Sequence, residues 1–156
     1  MQQPACPFCE KDPMDFFLTS ARFGALYNIA PILPGHCMVI PKRHIESVFD
    51  LNDDELLEMM QLARKTGKLL KAVFMTDAFD FAIQEKEEAG QSVSHLHLHI
   101  VPRKMGDLEN PGDWYLQLEK NDSNVIDNES RKRLSPEKLR EITERLRERA
   151  GQNGLK

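Results

Sequence analysis

No stretch of this chain approaches the roughly 18 consecutive apolar residues of a membrane span, and its N-terminus lacks the pattern of a signal peptide. Membrane association is therefore not expected, and a cytoplasmic location is. Neither sign of charge dominates: 21 Lys and Arg stand against 25 Asp and Glu, a formal net charge of −4. Without a local basic patch, that balance argues against binding a nucleic-acid polymer. Three cysteines are few. Cys6 and Cys9 form a Cys-x-x-Cys pair, which in a reducing compartment points to metal or redox chemistry more than to a structural disulfide. No βαβ pattern of the thioredoxin kind surrounds them, and Cys37 reads as core. Internal repeats and low-complexity tracts are absent, so the 156 residues read as one domain with its own core.

An irregular, proline-containing lead-in over about 1–15 precedes short strands over Phe16 to Thr19 and Ala25 to Ala30, joined by a turn near Arg22 to Gly24. His36 to Ile40 is a third strand, ended by Pro41. Asn52 and the acids Asp53, Asp54 and Glu55 supply a cap and an acidic first turn. Leu56, Met59, Met60, Ala63, Gly67, Leu70 and Val73 or Phe74 follow at helical spacing, which predicts one long helix over 53–74. A strand over Phe79 to Gln84 and a charged loop over Glu85 to Gln91 come next. Residues 105–113 are turn-rich. Ser135-Pro136-Glu137 opens a last helix to about residue 150, with Leu139, Ile142, Leu146 and Ala150 as its apolar stripe and Arg and Glu on its solvated face. Hairpins on either side of one crossing helix predict an α+β plan with a largely antiparallel sheet.

The chemistry concentrates in His95-Leu96-His97-Leu98-His99-Ile100-Val101, where three of the five histidines recur with the period of a strand. One wet face would carry all three imidazoles, about 7 Å apart at Cβ, while Leu96, Leu98 and Ile100 hold the other face in a core. Such imidazoles can attack a phosphorus covalently and protonate the leaving oxygen, or they can hold a catalytic zinc. The preceding Gly90, Gln91 and Ser92 offer backbone N–H groups, an amide and a hydroxyl suited to phosphate oxygens. The nearest carboxylates in sequence, Glu85, Glu87 and Glu88, read as solvated, which favours the phosphate reading over a zinc hydrolase.

The segment from Gly90 to Val101 resembles the signature of the histidine triad (HIT) superfamily, His-φ-His-φ-His-φ-φ with φ apolar. The likeness extends to the Pro34-Gly35-His36 strand and to Pro41-Lys42-Arg43-His44, and it covers about residues 16–110. Pro102-Arg103-Lys104-Met105-Gly106-Asp107 is most similar to the fragile-histidine-triad branch, whose members hydrolyse diadenosine polyphosphates. The resemblance implies a bent antiparallel sheet with one long helix, a homodimer, and cleavage at an α-phosphate without a catalytic cofactor. His97 would be the nucleophile, carrying a nucleotidyl group. His99 would contact the phosphate, His95 would orient the nucleophile and His36 would support from the next strand. Asn28 matches a ribose-binding position, with Leu26 and Met38 in the nucleoside pocket. Gln84, Gly90, Gln91 and Ser92 would hold phosphates. Many bacterial triad proteins beginning with such a thiol pair complete a structural Cys2His2 zinc site, and the matching positions here are Cys6, Cys9, His44 and His95. One departure stands out: Gln84-Glu85-Lys86 replaces the branch's frequent Gln-Asp-Gly, which bears on the exact substrate. A nucleoside phosphoramidate hydrolase, a metal-dependent phosphohydrolase and a non-catalytic nucleotide-binding module remain open alternatives.

Overall fold

The computed structural model describes residues 6–119 and 131–155. The first five residues of the lead-in and residues 120–130 of the C-terminal extension lie outside them. Five strands, β1 (Phe16–Thr19), β2 (Phe23–Tyr27), β3 (Cys37–Pro41), β4 (Ala78–Ile83) and β5 (Leu98–Arg103), form one sheet in the order β1-β2-β3-β5-β4. Every neighbouring pair is antiparallel. The helix α1 (Asp53–Phe74) crosses between the two hairpins, and α3 (Pro136–Gln152) packs on the same side against β1, β2 and α1. This is the α+β architecture that the hairpin-helix-hairpin pattern requires.

Local chemistry explains α1. Asn52 accepts from the Glu55 amide at 2.9 Å, and the Glu55 carboxylate accepts from the Asn52 amide at 3.1 Å, a reciprocal capping box. The buried stripe, however, runs through Met59, Leu62, Ala63, Thr66, Leu69 and Leu70. Leu56 and Met60, expected inside, face outward with Leu57. A helical period marks an apolar face but does not say which edge of it meets the sheet. In α3, Leu146 and Ala150 are buried as their spacing predicts, and Ser135 caps Lys138.

Strand boundaries differ from the sequence pattern: β3 begins at Cys37 and includes Pro41, which pairs with Phe23, and β4 spans Ala78–Ile83, one residue earlier than expected. β2 ends at Tyr27 because Asn28 turns the chain, its side-chain oxygen accepting from the Ala30 amide at 2.8 Å. The β1–β2 turn closes earlier than expected, between Ser20 and Phe23, and leaves Gly24 inside the strand. There a Cβ would lie 2.3 Å from the Phe16 ring. The histidine strand pairs only from Leu98, where the ladders to Val39 and Ile83 begin. His95 to His97 instead follow an irregular path, with the Leu96 amide donating to Ile45 O. A short helix, α2 (Asp113–Glu119), adds an element absent from the sequence reading.

Candidate active site

Alternation survives where the strand does not. Leu96, Leu98 and Ile100 lie in the main core with α1, while His97 and His99 line a cavity on the opposite side of the sheet. The expected wet face is dry: His97 and His99 are 4% and 5% exposed, and His36 and His95 are fully enclosed. Phe8 of the lead-in and Leu118 of α2, both buried, form part of the covering wall. The enclosed space measures about 70 Å³, below the roughly 300 Å³ at which ligand pockets begin. A larger cavity of about 840 Å³ lies along β1 and holds none of the four histidines.

Hydrogen bonds determine the tautomers. The Ile32 amide can only donate, and at 3.2 Å it donates to His36 Nδ1. In neutral His36 the proton then sits on Nε2, which donates to His99 Nδ1 at 3.0 Å. That leaves His99 with its own proton on Nε2. His97 Nδ1 donates to the His95 carbonyl at 2.8 Å, so the lone pair of His97 sits on Nε2. One neutral acceptor and one neutral donor thus stand side by side, with ring centroids 4.8 Å apart.

Burial keeps the relay neutral. It pushes His36 down to about 3, with the charge of Arg131 and neighbouring His97 adding to the effect. His99 is also held well below the usual imidazole range, by burial and then by His97, His36 and Arg131. A folded value below the unfolded one means that the unfolded chain takes up protons first. Stability should accordingly fall as pH drops from about 6.5, the ordinary histidine value, and before carboxylates titrate near 4.5. Thermal melts at pH 7.5 and pH 5 should show a lower Tm at pH 5, and replacing His36 by Gln should shrink that difference. An unchanged difference would mean that other groups dominate.

Leu26, Asn28, Met38, Gln84, Gly90 and Ser92 also line the cavity, as the resemblance implies. Gln84 is buried with Nε2 unpartnered among the described residues, a donor suited to an incoming oxygen. Gly90 suits its place because its φ is +92°, and a Cβ there would lie 2.5 Å from Gln84 Nε2 and push that side chain aside. Gln91 does not join the cavity. Its oxygen accepts from the Lys86 amide at 2.8 Å and its amide donates to Glu46 O at 2.9 Å, so both ends staple the loop. Lys86, where the branch often has Gly, adopts φ 67° and ψ 170°, a region that side chains rarely enter.

Arg131 was not visible in the sequence as a site residue. The Leu134 amide donates to Ile29 O at 2.8 Å, laying the 131–134 segment beside the cavity that Arg131 lines. It belongs to a short basic run, Arg131-Lys132-Arg133, that carries no motif. Phe8 was equally hidden, although its position between Cys6 and Cys9 carries it edge-on to His95 and His97.

The ligand atoms of Cys6, Cys9, His44 and His95 lie within 4.8 Å of one another. His95 Nδ1 is 3.4 Å from Cys6 Sγ and 3.6 Å from Cys9 Sγ, and His44 Nδ1 is 3.3 Å from Cys9 Sγ. Zinc bond lengths in a tetrahedron place nitrogen and sulfur about 3.5 Å apart, so the donor set fits that ion. Both rings present Nδ1 while Nε2 is engaged, His95 with Pro41 O at 3.0 Å and His44 with Glu46 Oε1 at 3.4 Å. The His95 imidazole thus belongs to this cluster, and its backbone carbonyl is what orients His97.

A fold and a histidine constellation of this kind define a class, and the sequence agrees: residues 10–106 match the HIT domain, and the chain belongs to that family. It is 42% identical over 105 residues to the bis(5'-adenosyl)-triphosphatase of Dictyostelium discoideum, covering 67% of this chain and 70% of that protein. It is 41% identical over 109 residues to the asymmetrical bis(5'-nucleosyl)-tetraphosphatase of Schizosaccharomyces pombe, covering 70% of this chain and 60% of that one. Among solved structures, the Plasmodium falciparum diadenosine triphosphate hydrolase in complex with cyclomarin A superposes with a TM-score of 0.73 at 25% identity. That match covers 91% of this chain and 80% of the other. No helix among the described residues is long and apolar enough to cross a membrane.

Proposed function

We propose that this chain is a single-domain HIT hydrolase that cleaves dinucleoside polyphosphates at the α-phosphate through a nucleotidyl-His97 intermediate. The observation that carries the reading is the hydrogen-bond arrangement, which assigns a lone pair to His97 Nε2 and a proton to His99 Nε2, side by side at one buried cavity. His97 Nε2 attacks phosphorus as the bond to the bridging oxygen breaks, and His99 stabilises the phosphoryl oxygens. Water then attacks the same phosphorus, the P–N bond breaks, and a nucleoside monophosphate leaves. Gln84 Nε2, Gly90 and Ser92 hold phosphate oxygens. Leu26, Asn28 and Met38 receive the nucleoside, and no cofactor takes part in the bond changes.

A polyphosphate leaves more readily than an unprotonated amine, so diadenosine triphosphate should give AMP plus ADP at a higher kcat/KM than adenosine phosphoramidate. Chromatography of the products from both substrates measures this. Asn28→Ala should also narrow the discrimination against deoxyribose, because it removes a polar group beside the ribose site. A tenfold preference for the phosphoramidate would assign the chain to another branch of the family and leave the triad chemistry standing.

Zinc held by Cys6, Cys9, His44 and His95 is structural in this reading: four protein ligands close its shell. The free thiols suit the reducing cytoplasm. A homodimer is supported by the outward face of α1 and the edge strand β4. Met60 and Phe81 are 47% and 48% exposed there, and with Gly67 and Phe79 they line an apolar hollow. Sedimentation should show two chains at micromolar concentration, and a strict monomer would remove the dimer from the proposal.

A further inference from the structure

Glu46 stands between the thiol-imidazole cluster and the phosphate loop, and it contacts both. Its carboxylate approaches His44 Nε2 at 3.4 Å and Lys86 Nζ at 3.6 Å, and it is hydrogen-bonded by the Ser94 side chain. Its backbone carbonyl accepts from Gln91 Nε2 at 2.9 Å. Gln91 in turn grips Lys86 from both sides, its side-chain oxygen accepting from the Lys86 amide and its own amide donating to Lys86 O at 3.0 Å. One position upstream of Gln91, Gly90 packs against Gln84.

We propose that Glu46 is a positioning residue that couples metal binding at Cys6, Cys9, His44 and His95 to the shape of the 84–91 loop. The inference rests on the readings of that cluster as a zinc site and of that loop as the phosphate cradle. The physical case has two halves. A carboxylate on His44 Nε2 fixes the tautomer that turns the Nδ1 lone pair toward the thiols, and it raises the basicity of that nitrogen. The loop, for its part, holds Lys86 at a positive φ that a side chain adopts only where the surroundings enforce it. Gln91 and the Ala89 amide clamp the Lys86 backbone, the Glu46 carbonyl anchors the Gln91 side chain, and the Glu46 carboxylate pairs with the Lys86 ammonium. A metal that immobilises His44 also immobilises Glu46, and Glu46 restrains Lys86. In the metal-free protein His44 is free to swing on an exposed segment, and the restraint on the loop weakens.

The test uses the full chain, zinc alone as the probe, and Glu46→Gln, which keeps the backbone carbonyl and the side-chain volume. Competition with a chromogenic zinc chelator should show affinity about 10–100-fold lower in Glu46→Gln than in wild type. Hydrogen exchange then reads the loop directly. Zinc should slow exchange of the amides of Lys86 and Gln91 in wild type, and at saturating zinc Glu46→Gln should lose that protection while remaining metal-loaded. Glu46→Asp should recover part of both effects. Zinc binding in wild type with unchanged affinity in Glu46→Gln, or with equal loop protection in both proteins, overturns the coupling alone. A wild-type chain that binds no zinc overturns the metal-site reading and this proposal with it, leaving the triad chemistry untouched.

Discussion

Replacing His97 by Asn should lower turnover of diadenosine triphosphate by a factor on the order of 10⁴ or more, with the fold intact. The geometry sets this expectation. His97 is the ring whose Nδ1 is committed to the His95 carbonyl at 2.8 Å, which leaves Nε2 as a lone pair inside the cavity. Asn keeps a polar group of smaller size but has no nitrogen able to bond phosphorus. Rapid quench of wild type with labelled substrate should trap an acid-labile adduct on His97, and nucleotide affinity of the variant should stay near wild type. Turnover within about tenfold of wild type would remove the covalent route. His99→Asn should slow the reaction less, because the group lost stabilises oxygens and does not form the bond.

The double variant Cys6→Ser, Cys9→Ser should lose its zinc and melt about 10 °C earlier than the metal-loaded wild type. Metal that binds only the folded chain adds about 4 kcal/mol at a free concentration near a thousand times its Kd. Each kcal/mol shifts Tm by roughly 2–4 °C in a domain of about this size. Differential scanning calorimetry with metal analysis measures both numbers. Activity per folded molecule should fall only severalfold, through Phe8: its ring sits between the two thiols in sequence and edge-on to His95 and His97 in space. Complete loss of activity, restored by zinc in protein that had stayed folded, would instead establish the metal as catalytic.

Lys86 shows why the sequence pattern was informative before it was understood. In the resemblance, a glycine missing from Gln84-Glu85-Lys86 signalled a reshaped loop. The backbone has a positive φ at Lys86, a conformation that favours glycine. Gln91 clamps the Lys86 backbone, and its side chain is anchored in turn on the carbonyl of Glu46, 45 positions away from Gln91, which no local pattern displays.

The sequence by itself determined the features that depend on neighbours a few residues apart. These include the capping box and extent of α1, the apolar stripe of α3, the antiparallel plan, and the alternation that sends Leu96, Leu98 and Ile100 one way and the histidines the other. The period of two put His95, His97 and His99 on one face, and the family resemblance added His36 and the six lining residues Leu26, Asn28, Met38, Gln84, Gly90 and Ser92. Only the tertiary structure decided what depends on distant partners. The start of β5 is set by where β4 ends, at Ile83, and by the register that brings Leu98 opposite Val39 of β3. The outward turn of Leu56 and Met60 is set by the sheet beneath α1. The dryness of the imidazoles comes in part from Phe8 and Leu118, which close over them from opposite parts of the chain. The protons of His36 and His97 are assigned by an amide and a carbonyl that no periodicity specifies. Cys6 meets His95 across 89 positions, and Arg131 reaches the cavity from beyond the family's span. Local periodicity reports which way a side chain faces, whereas its burial, tautomer and charge depend on what the folded chain places against it.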